Sequence, residues 1–65
     1  MKYKVGDLIT EGSGQKKIIG YIADISDETI KVVYLSGEYI YRLFGVSSFP
    51  RALKKLRYKH IPVKE

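Results

Sequence analysis

The chain has 65 residues, with 12 Lys and Arg against 7 Asp and Glu for a net charge of +5, 45% hydrophobic residues, and neither Cys nor Trp. A chain this short forms one small domain, buries only about 60% of the surface its unfolded form exposes, and here has no disulfide or thiolate-metal site to compensate. A two-domain protein is excluded, and no apolar run is long enough for a membrane span or a signal-peptide core, so a non-membrane, cytoplasmic protein (host cytoplasm if viral) is expected.

The elements follow in chain order. Lys4 to Thr10 reads as a first strand, followed by the flexible loop Gly12-Ser13-Gly14. Lys17 to Ser26 reads as a second strand closed by Asp27-Glu28, Thr29 to Leu35 as a third closed by Ser36-Gly37, and Glu38 to Phe44 as a fourth. Gly45 breaks this meander. Ser48 then reads as a helix cap with Pro50 in the first turn, and Arg51 to about Tyr58 as the helix. Phe49, Leu53 and Leu56 recur at i, i+4 and i+7, so one stripe docks on the sheet while Arg51, Lys54, Lys55 and Arg57 face water. His60 to Lys64 is a short closing strand or a tail, and Pro62 confines any such strand to an edge. The expected fold is mainly β: one domain over 1–65, with a barrel of about five strands at 3–46, a helix at 48–58 and a strand or tail at 59–65.

Two-residue loops at both hairpins predict the cross-strand partners. One face then carries Ile25–Ile30–Leu43, Ala23–Val32–Tyr41 and Tyr21–Tyr34–Tyr39, an uncharged set expected to point inward. The other carries Asp24–Lys31–Arg42 and Ile22–Val33–Ile40. On that second face Lys31 opposes Arg42, a like-charge pair that a nearby anion or Asp24 relieves, and the aliphatic row is either covered by the helix or offered to a partner. A three-residue loop at Ser36-Gly37-Glu38 exchanges the faces of the fourth strand, because strand side chains alternate with period two. The Tyr21, Tyr34 and Tyr39 rings form either a structural rim or a stacking surface.

Charge is unevenly distributed. Residues 1–38 hold five basic and six acidic side chains, whereas residues 39–65 hold seven basic ones and only Glu65. Catalysis has little to draw on: there is one His, His60, there is no thiol, and no metal or cofactor set is visible. Residues 11–17 have the glycines of a phosphate loop but not its Gly-Lys-Ser/Thr ending. No enzyme activity and no cofactor are expected.

Val5-Gly6-Asp7-Leu8-Ile9, Gly20-Tyr21-Ile22-Ala23-Asp24-Ile25 and Ile30-Lys31-Val32-Val33-Tyr34-Leu35-Ser36-Gly37-Glu38 together resemble the VGDL, GxIxxI and IxVxYxxG pattern of small SH3-like barrels. KOW-type modules and many short bacteriophage-encoded proteins belong to that class. Residues 45–56 are similar to the barrel-to-helix passage of the seven-kilodalton archaeal chromatin proteins, which bind duplex DNA through an exposed sheet. That likeness implies a DNA face of Lys31, Val33, Ile40 and Arg42.

Two functions are therefore expected of a non-enzymatic module. The first is nonspecific nucleic-acid binding through Lys31, Arg42, Arg51, Lys54, Lys55, Arg57 and Lys59. The second is a protein interaction, as a phage-type modulator of a host protein or a homo-oligomer, through Ile22, Val33, Ile40, Tyr21, Tyr34 and Tyr39.

Overall fold

The computed structural model describes residues 2–11, 17–35 and 40–63. The loop at 12–14, most of the expected phosphate-loop stretch, the turn at 36–38 and Tyr39 lie outside the described residues. The elements are β1 (Leu8–Glu11), β2 (Ile18–Ile25), β3 (Thr29–Tyr34), β4 (Tyr41–Gly45), α1 (Phe49–Leu56) and β5 (Tyr58–Ile61). All strand pairs are antiparallel, and the sheet runs β4-β3-β2-β1-β5. Its edges, β4 and β5, do not pair with each other, so the sheet is open. The expected closing strand at His60–Lys64 is the edge strand β5, which ends at Ile61 before Pro62.

The first strand starts later than the pattern Lys4 to Thr10 predicts because Lys4 to Asp7 form a turn. Asp7 N–H donates to the Lys4 carbonyl at 3.1 Å, and Gly6 has φ +98. A positive φ at the third turn position alone is the type II arrangement, which glycine adopts without the Cβ clash other residues meet. The β2–β3 hairpin closes as expected around Asp27-Glu28. Ser26 N–H donates to the Thr29 carbonyl at 2.8 Å and Thr29 N–H donates to Ser26 Oγ at 3.1 Å.

That hairpin keeps its expected register only over its first rungs, Ile25 with Ile30 and Asp24 with Lys31. Ala23 is then the extra residue of a β-bulge, and Ile22 pairs with Val32, Tyr21 with Val33 and Gly20 with Tyr34. A bulge inserts one unpaired residue and exchanges the faces of everything beyond it. The fourth strand is displaced by one residue as well: Ile30 faces Phe44, Lys31 faces Leu43, Val32 faces Arg42 and Val33 faces Tyr41. Its faces are therefore exchanged relative to those that two-residue loops predict.

These shifts overturn the predicted rows. Ile22 points into the core and is fully buried, so it is not on a partner surface. Leu43 is 60% exposed rather than interior. Tyr21 and Tyr41 point outward, and of the described members of the expected inward Tyr row, Tyr21 and Tyr34, Tyr34 stays on the core side, half-buried. Lys31 and Arg42 lie on opposite faces, which removes the like-charge pair.

The core consists of Tyr3, Ile9, Ile22, Ile30, Val32, Phe49 and Leu53. Gly20 is buried where β2 and β3 approach closely; a Cβ there would sit 2.5 Å from the Val33 carbonyl oxygen. The helix is shorter than expected, starting with Pro50 in its first turn and built from helix-favouring Ala, Leu and Lys. Ser48 does not cap it through its side chain. Lys54 and Lys55 in the last turn complement the negative end of the helix dipole, and Arg57 ends it in the left-handed conformation at φ 60. α1 packs against both edge strands, β4 and β5, and drives Phe49 and Leu53 into the core. The helix therefore covers the face of Ile22, Ile30 and Val32 and leaves the other face of the sheet open.

Candidate nucleic-acid interface

Three groups of side chains stand out. The first is the basic surface of α1 and β5. With Phe49 and Leu53 buried, helical spacing turns Arg51, Lys54 and Lys55 outward, and all three are exposed, as are Arg57 and Lys59. No acidic residue occurs between Tyr39 and Lys64, so this stretch has no internal counter-charge. Five of the seven basic residues expected to meet phosphates are thus exposed within one stretch of sequence, Arg51 to Lys59.

The second group is the open sheet face. The pairings place Tyr41, Val33, Tyr21, Leu8 and Ile61 side by side across all five strands. Tyr41 is 50% exposed, Tyr21 37% and Ile61 40%. Lys31 lies one pair along the same face, with its Nζ 4.6 Å from the Tyr41 ring centroid. Alternation along β5 puts Lys59 on this face, two residues from Ile61. Of the expected partner surface, Val33 and Tyr21 belong here, exposed Ile40 lies beside it before β4, and Ile22 does not belong.

Arg42 belongs to neither group. Its guanidinium carbon lies 5.1 Å from the Phe44 ring centroid, and Arg42 and Tyr58 both hydrogen-bond the Tyr34 hydroxyl. Burial pushes the Tyr34 phenol above its ordinary value, and Tyr58 adds to the shift while Arg42 opposes it. Tyr34 is thus a structural rim Tyr on the core side of the sheet.

The third group is a buried clamp between the chain ends. Asp7 is 1% exposed; its Oδ2 accepts from Lys4 N–H at 3.0 Å and bonds His60 Nε2, and its Oδ1 accepts from Val63 N–H at 2.9 Å. Burial pushes the Asp7 carboxyl up, but the hydrogen bonds from His60, Val63 and Lys4 more than offset it and hold the group below the usual carboxylate range. The His60 ring also packs edge-on against Tyr3, centroid to centroid 4.7 Å, and Tyr3 against Phe49 at 4.8 Å. Both carboxylate oxygens are engaged, and no pocket opens among the described residues. The arrangement ties the first turn to the last strand.

Nothing in the sequence brings Asp7 to His60, 53 positions apart; the only hint is that a lone His falls on a strand pairing with the one after Val5-Gly6-Asp7. Tyr41 and Leu43 on the open face are missed for a simpler reason, the one-residue displacement of β4. Among the described residues no group of three or more His, Cys, Asp or Glu could hold a metal ion, and no described helix is long and apolar enough to cross a membrane. No protein-family model, curated protein or solved structure matches the chain.

Proposed function

We propose that this protein is a non-enzymatic module that binds nucleic acid nonspecifically, on an SH3-like framework. The meander order β1 to β4, a helix packed against both edge strands, and a last strand returning beside β1 support the SH3-like reading. The observation that carries the functional reading is the exposure of Arg51, Lys54, Lys55, Arg57 and Lys59 along one segment without acidic residues. Such a surface neutralises phosphates and releases counterions, which gives affinity without sequence preference.

Fluorescence anisotropy with labelled oligonucleotides between about 50 and 200 mM salt tests it. Three to five phosphate contacts predict a slope of log K against log salt of roughly −2 to −3.5 for a single strand. Lys54→Glu combined with Lys55→Glu abolishes binding while leaving the circular dichroism spectrum intact. Absence of binding by the wild type at about 50 mM salt refutes the reading.

A further inference from the structure

The basic segment accounts for phosphate contacts but not for the open sheet face. We propose that this face is a stacking platform for the bases of single-stranded nucleic acid, with Tyr21 and Tyr41 as the ring surfaces and Lys31 and Lys59 meeting the adjoining phosphates. The proposal rests on the nucleic-acid reading above and adds to it the form of the ligand and the surface that meets the bases.

Five Tyr lie among the described residues: Tyr3 is buried, Tyr34 and Tyr58 are half-buried against the core, and only Tyr21 and Tyr41 are exposed. The core does not use these two rings, because the helix is packed on the other face. Each pairs with Val33, so the three side chains form one uncharged stretch of the face. Strand spacing sets the rings about 10 Å apart with Val33 between them, which gives each ring room for its own base. In a duplex the base faces are stacked on one another and unavailable; in a single strand they are free, and every base has one, so stacking tolerates any sequence.

The charges on the face point the same way. Lys31 Nζ already sits against the Tyr41 ring, where the phosphate of a base stacked on that ring is within its reach. Lys59 stands at the β5 side, two residues after Arg57 at the end of α1. Lys31 and Lys59 thus put positive charge on the same face as the two rings. Protein interfaces, by contrast, are depleted in Lys at their centres, and the chain's net charge of +5 favours a polyanion.

The test compares a labelled oligothymidylate with a duplex of equal length, by anisotropy and by intrinsic Tyr emission, which no Trp obscures here. The expected result is at least about tenfold tighter binding of the single strand, with quenched Tyr emission. Tyr21→Ala and Tyr41→Ala each weaken single-strand binding by about five- to a hundredfold at unchanged salt slope, because no charge is removed. Tyr21→Phe and Tyr41→Phe keep the ring and keep the affinity, which separates stacking from a loss of folding. Equal binding of duplex and single strand, insensitive to both Ala variants but lost in Lys54→Glu/Lys55→Glu, overturns the platform and leaves the nucleic-acid reading standing. No binding of either oligonucleotide overturns both. Self-association of the wild type that Tyr41→Ala abolishes, with oligonucleotide binding unaffected, assigns the face to a second copy of the chain and also overturns the platform.

Discussion

Replacing Asp7 by Asn removes a negative charge and one acceptor oxygen while preserving size. Asp7 accepts at both oxygens, from Val63 N–H at Oδ1 and from Lys4 N–H at Oδ2 beside His60. An Asn side chain has one carbonyl oxygen, so in either orientation its amide faces one of the two backbone N–H groups, which then loses its acceptor. An unmet buried donor costs about 1–3 kcal/mol, and the remaining bonds lose their charge assistance. The expected destabilisation is about 2–4 kcal/mol, against a total of roughly 3–10 kcal/mol for a 65-residue domain. Urea denaturation followed by circular dichroism measures it, and the melting temperature falls by about 4–8 °C per kcal/mol. Because the folded carboxyl titrates below its unfolded value, its contribution is fully present above about pH 4 and is lost as the pH falls through the folded value. The wild type therefore loses stability in acid by a component that the Asn variant lacks. A change below about 0.5 kcal/mol at neutral pH, with an unaltered acid limb, refutes the clamp.

Four further substitutions probe the register and the helix end. Ile22→Ala, at a fully buried position, lowers stability by about 2–5 kcal/mol, whereas Leu43→Ala, at a position 60% exposed, stays within about 0.5 kcal/mol; the register expected from two-residue loops puts Leu43 inside and predicts a large loss for Leu43→Ala, and chemical denaturation decides. Gly20→Ala forces a Cβ to within 2.5 Å of the Val33 carbonyl oxygen and destabilises by about 1–3 kcal/mol as β2 and β3 are pushed apart, read as a lower urea midpoint. Arg57→Gly relieves a left-handed backbone at φ 60 and raises stability by about 0.5–1 kcal/mol in thermal melts, while weakening oligonucleotide binding through the lost charge.

The elements were legible because their signals are local. Pro50 with the Phe49 and Leu53 spacing marks the helix, and Asp27-Glu28 marks the hairpin that Ser26 and Thr29 close. The exposed basic residues Arg51, Lys54 and Lys55 follow from that spacing once the buried stripe is identified. The faces of β2 and β4 were not legible, because one bulged residue at Ala23 and one displaced rung at Phe44 each invert an alternation with period two. Ala23 carries no feature that marks it as bulged. Gly20, by contrast, did carry a signal: a glycine inside an apolar strand indicates close approach of another backbone. The Asp7–His60 clamp depends on β5 returning beside β1, a long-range pairing that neither residue's neighbours encode.

The most direct measurement of the central claim is a two-dimensional amide NMR titration with a short single-stranded oligonucleotide at low salt. Binding as proposed shifts the resonances of Tyr21, Val33 and Tyr41 on the open sheet face together with those of Lys54, Lys55 and Lys59. Shifts confined to other parts of the molecule, or a spectrum unchanged at saturating oligonucleotide, contradict it.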